Sequence, residues 1–269
     1  MQAASRESYT AALQRLNQLE APDEVAEELF AVSRLLVREP RLRRAMADPA
    51  RADADRAELV RSVLSGKVSD EALSLVETLV RGRWSSAGDL LDATERLGVQ
   101  AVLAGADSAD QLGDVEDELF RFGQVVSGDA ELASVLGDST VDVARRTELV
   151  RDLLDTKARP ATVRLVDVAL HGFGGRGFQA SLTRLVELAA ERRDREVAYV
   201  TAAVMPTEEE EQRLTGTLTE LYGRRISLKI IVRPDIIGGM SVRVGSDLYD
   251  GTVSRWLSEA RSAFTKGHG

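Results

Sequence analysis

Over most of the chain, apolar residues recur three and four positions apart. Tyr9, Ala12, Leu13, Leu16 and Leu19 form the first such stripe, the spacing of one helix face. Pro22 opens a second helix running through Leu29, Val32 and Leu36. Pro40 and Pro49 punctuate the next stretch, and helices around 59–64 and 72–80 come after it. A longer helix is striped by Ala87, Leu90, Leu91, Thr94, Leu97, Ala101 and Val102, and another by Leu182, Leu185, Val186 and Ala189. From Arg195 the period changes. Val197, Tyr199 and Thr201 alternate as in a strand, and Thr207 and Glu210 have capping-box spacing ahead of Leu214, Leu218, Leu221 and Tyr222. Ile226, Leu228, Ile230 and Val232 then alternate with Ser227, Lys229 and Arg233, a half-buried strand. Pro234-Asp235 and Gly238-Gly239 supply a tight turn. Val242 and Val244 predict a second strand folding back on the first, and Asp250 stands where a helix N-cap belongs, ahead of Val253, Trp256, Leu257, Ala260 and Phe264.

The helical part contains a repeat. Sliding the chain by 90 places brings Glu28, Leu29 and Phe30 onto Glu118, Leu119 and Phe120 without a gap. Arg56, Glu58, Leu59, Val60 and Arg61 fall on Arg146, Glu148, Leu149, Val150 and Arg151, and Lys67, Leu75, Val76 and Gly82 on Lys157, Leu165, Val166 and Gly172. The recurrence is in phase, which marks a duplicated helical module rather than shared composition. At the same offset, the helix of Ala87 to Val102 fills both the last slot of the first module and the first slot of the second, so one helix is expected to serve both. The fold class is therefore mainly α with a C-terminal α/β unit: helical modules at 1–105 and 106–194, then a small α/β domain at 195–269.

Composition narrows the function classes. The formal net charge is −9, which disfavours nucleic acid as principal partner, because a phosphate backbone demands a concentrated basic face. Cysteine is absent and His171 and His268 are the only imidazoles, so thiolate or histidine metal sites and triads are not expected, nor is a cofactor. Basic charge is nearly all Arg, with Lys only at 67, 157, 229 and 266, a bias associated with GC-rich bacterial genomes. The N-terminal MQAASRESYT has no signal-peptide core, and no apolar run is long enough to cross a bilayer. A soluble cytoplasmic protein is expected, with any membrane association made through a partner.

Several patterns imitate chemistry. Gly172-Phe-Gly174-Gly175-Arg-Gly177 spells G-x-G-x-x-G, with Glu196 near the distance of a ribose-binding acid. That fingerprint needs a preceding strand, whereas 162–170 have helical spacing, so the glycines are expected to end one helix and begin another. The four acids at 208–211 suit a helix N-terminus better than a cation. Asp247 and Asp250, among glycines, read as turn and cap. His171 reads as a helix-end dipole partner or an exposed residue. Arg41, Arg43 and Arg44, and separately Arg192, Arg193 and Arg195, read as solvated faces, with an acidic partner surface as the alternative. No nucleophile with a base stands out.

The stretch 226–257 resembles the C-terminal signature of the delta subunit of rotary ATP synthase, the family that includes the mitochondrial oligomycin-sensitivity-conferring protein. The matching elements are the strand through Ile230 and Val232, the turn Pro234-Asp235, Ile237-Gly238-Gly239, the strand of Val242 and Val244, then Gly245, Asp250 and Thr252, where the family more often has serine. Tyr9 to Leu13 resembles the family's opening helix, and two helical modules in place of one resemble actinobacterial members. The resemblance implies a non-catalytic stator protein that joins the catalytic head to the membrane-anchored b-type stalk. It would resist rotor torque at the cytoplasmic face of the bacterial cell membrane, held there through the complex without inserting itself. It also implies a groove receiving an amphipathic alpha-subunit helix, placed here on Tyr9, Leu13 and Leu16 with Leu75, Val76 and Leu79. Pro234, Ile237, Gly238, Gly239, Gly245, Asp250 and Thr252 are expected to be fold determinants. A helical-repeat adaptor for some other partner helix is the alternative class.

Overall fold

Apolar stripes set the helices, and caps or prolines set most of their starts. The computed structural model describes residues 2–252, in which α1 (Ala3–Leu16), α2 (Ala26–Arg38), α3 (Pro40–Ala47), α4 (Asp53–Leu64), α5 (Asp70–Arg81) and α6 (Ala87–Ser108) precede a second series. That series is α7 (Leu112–Gly128), α8 (Ala130–Gly137), α9 (Val143–Leu154), α10 (Pro160–Leu170) and α11 (Phe178–Arg192), followed by β1 (Arg195–Ala202), α12 (Glu208–Tyr222), β2 (Arg225–Val232), β3 (Met240–Val244) and β4 (Asp247–Asp250). Pro40 does more than punctuate: it occupies the first turn of α3, where its missing N–H would have had no partner anyway.

The bounds of α3 and α8, and of α4 and α9, lie 90 residues apart at both ends. Two of the identities that repeat at this offset are polar ties. Glu28 accepts from Ser69 N and Oγ at the head of α5, and Glu118 accepts from Arg159 N and Thr162 Oγ1 at the head of α10. Arg56, nearly buried, donates to the carbonyls of Asp48, Arg81 and Gly82, while Arg146 donates to those of Leu136 and Leu170. Each arginine thus satisfies orphan carbonyls where two helices end.

The 22-residue α6 runs without a break and packs on α1, α2, α3 and α5 as well as on α7, α10 and α11. It is buried nearly all round, through Leu90, Leu97, Val99, Val102 and Leu103 among others, as a helix between two bundles must be. One apolar core accordingly extends from Tyr9 to Val197.

The sheet order is β2-β1-β3-β4. β1 pairs parallel with β2 across the α12 crossover and antiparallel with β3. This corrects the expected hairpin: β3 folds back on the far edge of β1, and β2 stands at the margin of the sheet. Residues 233–239 pass over the end of β1, where Arg233 N donates to Ala202 O. β4, which the spacing does not predict, runs from Asp247 to Asp250 and pairs with β3, so Asp247 begins a strand rather than forming the turn. Thr252 N does donate to Asp250 Oδ1, but the helix expected from Val253 onward lies outside the described residues. Both sheet faces are covered. Ala198, Val200, Ile226, Val242 and Val244 meet Leu218 of α12, while Val197 and Tyr199 join the helical core.

Candidate functional site

The helices proposed for the groove, α1 and α5, do pack side by side. Of the six groove candidates, Tyr9, Leu16, Leu75, Val76 and Leu79 are buried in the core, and Leu13 is partly buried. They fasten the two helices together from the inside. Burial pushes the Tyr9 phenol up to about 12, although the Arg96 guanidinium stacked 5.0 Å from the ring centroid opposes this. The outward face of the pair carries Ala4, Ala11 and Arg15 of α1, all exposed, beside the half-buried Leu73, Ser74, Glu77 and Thr78 of α5.

Of the signature residues, Pro234, Ile237, Gly238 and Gly239 form the loop that carries the chain from β2 to β3, with Gly251 and Thr252 against Gly239, while Gly245 lies at the opposite end of β3. Gly238 and Gly239 both have left-handed backbones, with φ of 122° and 80°, and Gly245 turns β3 into β4 with φ 55°. Pro234 is exposed and Ile237 more so, at 72 %. Ile237 is not alone: Val204 and Met205 follow β1, Val232 ends β2, and all four large apolar side chains stand exposed at the same end of the sheet. Isolated exposed aliphatics need no explanation, whereas several at one end of a sheet mark a contact surface.

A cluster between these two ends escaped the sequence reading. Glu116 of α7 is fully buried, and its carboxylate takes Lys229 Nζ of β2 at 2.8 Å, Arg193 Nη1 at 2.7 Å and the Ser227 hydroxyl. Lys229, 3 % exposed, also meets Asp117 at 2.7 Å and lies 5.8 Å from the Phe120 ring centroid. Buried charges need both opposite charge and hydrogen bonds, and here each has them. Arg193 and Arg192, expected on a solvated face, are therefore internal ties; Arg192 holds Asp107 of α6 at 3.3 Å.

The imitations of chemistry resolve into structure. Gly172 and the 3-10 turn Phe173–Gly175 follow a helix, and Gly174 N–H donates to Glu95 of α6 at 2.8 Å, so that donor serves an internal carboxylate. The acids at 208–211 head α12 behind a complete capping box from Thr207. Asp247 accepts from the Tyr222 hydroxyl at 2.9 Å. His171 caps α10, with Nδ1 2.9 Å from Asp167 O. Among the described residues no cluster of metal-ligating side chains occurs, and no helix is long and apolar enough to cross a membrane.

Glu95 yields a pH prediction. Burial raises its carboxyl above the ordinary carboxylate range, with the Gly174 N–H working against that shift. A raised acid makes the folded state take up a proton more readily than the unfolded one. Its stabilising contribution is complete below the ordinary value and is lost as pH climbs through the raised one. Glu95→Gln keeps an acceptor for Gly174 and removes the charge. It is expected to raise Tm slightly at pH 7 and to leave Tm unchanged near pH 4; a lower Tm at pH 7 would contradict this.

Comparison with known proteins agrees with the geometry. Residues 6–97 and 99–264 match the family model described as ATP synthase delta (OSCP) subunit, the break falling within α6. The ATP synthase subunit delta of Salinispora arenicola is 59 % identical over 99 % of this chain and 100 % of its own. That of Streptomyces griseus is 46 % identical over 97 % and 98 %, and that of Thermobifida fusca 41 % over the same shares. A chain of the Toxoplasma gondii mitochondrial ATP synthase hexamer aligns with 62 % of this chain and 94 % of its own, at 17 % identity and a TM-score of 0.38, too loose a likeness for residue correspondence. With the family model matched over nearly its whole length, the chain belongs to the ATP synthase delta (OSCP) subunit family, whose members are non-catalytic parts of the synthase, and it is similar from end to end to actinobacterial members.

Proposed function

We propose that this chain is the stator connector of its synthase, joining the alpha subunits of the catalytic head to the b-type stalk and resisting rotor torque. Its place would be the cytoplasmic face of the bacterial membrane, held through the complex. Support comes above all from the buried joint of Glu116, Lys229 and Arg193. It couples α7 and the end of α11 to β2, so that load entering the helical part passes to the sheet through fixed contacts. The modules proposed at 1–105 and 106–194 share α6 and one core, which suits a load-bearing arm. The exposed face of α1 and α5 is assigned to the head, and the apolar end of the sheet around Val204, Met205, Val232 and Ile237 to the stalk.

Affinity capture of the full chain from detergent-solubilised membranes of its own organism tests this reading. Co-purification of alpha subunits together with a b-type subunit is expected. Recovery of neither would remove the connector role and favour a helical adaptor for another partner.

A further inference from the structure

The duplicated arginines differ in how fully their guanidinium groups are satisfied. Arg56 Nη1 donates to Asp48 O at 2.9 Å, and its Nη2 to Arg81 O at 3.0 Å and Gly82 O at 3.1 Å. The 90-residue offset makes His171 O and Gly172 O the matching acceptors for Arg146. They do not serve it. Gly82 has φ −64°, whereas Gly172 has φ 83°, so the chain leaves α10 in another direction, and Gly172 O accepts from Gly175 N at 2.9 Å. Arg146 hydrogen-bonds through Nη1 alone, to Leu136 O at 3.1 Å and, at the long limit, to Leu170 O at 3.5 Å; its Nε is buried without a partner. Yet the residue is only 7 % exposed, and a buried cation held by so few acceptors is unfavourable. Asp138, near enough to feel Arg146, is engaged by Thr140 through N and Oγ1.

The diverging chain opens a cavity of about 420 Å³ among α8, α9, α10 and the head of α11. Arg146, Arg176 and His171 line it and no acid does, in a chain whose formal net charge is −9. Gly177 heads α11 without a side-chain cap, so the amides of Phe178, Gln179 and Ala180 have no acceptor. The matching helix of the first repeat, α6, is closed by Ser86, whose hydroxyl accepts from Asp89 N at 3.1 Å. A Cβ on Gly175 or Gly177 would meet nothing within 4 Å, so the space beside these glycines is open.

We propose that this cavity binds a phosphate group, carried by inorganic phosphate or by a small phosphomonoester, with the Arg146 guanidinium and the free amides of α11 as donors. A guanidinium and an uncapped helix N-terminus facing one space are the groups that hold an oxyanion. Gly174 N–H takes no part, being engaged by Glu95. Bound phosphate ties α9 to the head of α11, and so supplies the acceptors that Arg81 and Gly82 supply to Arg56 in the first repeat.

Calorimetric titration of the full chain at constant ionic strength, with inorganic phosphate and with AMP as probes, tests this. One site per chain is expected, and millimolar ligand is expected to raise Tm by about 2 °C or more. Gly177→Asp puts a carboxylate at the cap, where φ is −65° and unstrained. It is expected to raise Tm in ligand-free buffer by satisfying the amides itself, and to weaken phosphate binding at least about tenfold. Gly177→Ala, whose new Cβ stands in open space, is expected to bind as the parent chain does. Tighter binding of AMP than of phosphate would assign the site to a phosphomonoester, and the reverse to the free ion. No binding of either probe, or binding that Gly177→Asp leaves unchanged, would overturn the inference without touching the connector reading.

Discussion

Glu116→Ala is expected to loosen the sheet from the helical part and to lower the unfolding free energy of the β2 region by about 3 kcal/mol, the lower end for one partner removed from a buried ion pair. The lower end applies because the loss is partial. Arg193, at 27 % exposure, can turn to water, and Lys229 keeps Asp117, whose side chain is 54 % exposed. Yet Lys229 itself is 3 % exposed, and Ser227, also buried, loses its acceptor. A buried ammonium left with only one, solvent-exposed partner is the costly species. Asp117→Ala, which removes only the exposed partner, is expected to cost below about 1 kcal/mol. A Glu116→Met, Lys229→Met pair is expected to recover most of the loss, since it removes both charges together. Urea dependence of hydrogen exchange at the β2 amides measures all three. Should Glu116→Ala cost no more than Asp117→Ala, the cluster is not what holds the sheet in place.

That cluster also shows where sequence reading stops. Ser227 and Lys229 alternate with Ile226, Leu228 and Ile230 as they would on a solvent-facing strand, and nothing local separates the two cases. Their partners stand 111 and 112 positions away, on a helix whose Glu116 and Asp117 look like ordinary surface acids. The helices themselves were legible, because burial imposes its period directly. So was the repeat, through Glu28 and Glu118 and through Arg56 and Arg146, side chains kept in phase by the helix ends they satisfy. The sheet order was not. A short loop after β2 suggests a hairpin, whereas that loop carries the chain across the end of β1 to its far edge, a choice set by long-range pairing that no local pattern encodes. β4 was illegible because its polar ends, Asp247 and Asp250, have turn chemistry. The groove candidates teach the same lesson at the level of one helix. A stripe such as Tyr9, Leu13 and Leu16 shows which side of α1 is buried within the fold, whereas the side left open carries Ala4, Ala11 and Arg15, which give no apolar signal.

The second large effect is expected at Gly239, where two independent penalties act on the same atom. Its φ of 80° is a left-handed conformation, in which an L side chain is disfavoured by about 1–2 kcal/mol, and a β-branched one more so. A Cβ there would also stand 2.4 Å from Gly251 O and 3.0 Å from Thr252 Cα. Those are backbone atoms, fixed in part by Gly251 N donating to Met240 O at 3.0 Å, so no rotamer change relieves the overlap. Displacing them adds about 1–3 kcal/mol by analogy with overpacked cores, and Gly239→Val is expected to destabilise the β3–β4 region by about 2–5 kcal/mol. Gly245→Ala separates the two penalties. Its φ of 55° is also left-handed, but its nearest neighbour, a Glu196 oxygen, lies 3.8 Å from the new Cβ, so only the conformational part, about 1 kcal/mol, is expected. Ala198, Val200, Ile226, Val242 and Val244 pack with α12 in a core of their own. The Gly239→Val damage should therefore appear in the exchange of β3 and β4 amides and in lost binding of a b-type stalk peptide, while protection in α1–α6 is retained. An unchanged melting curve with unchanged stalk binding would show that the glycine pair is not required for the fold of this region.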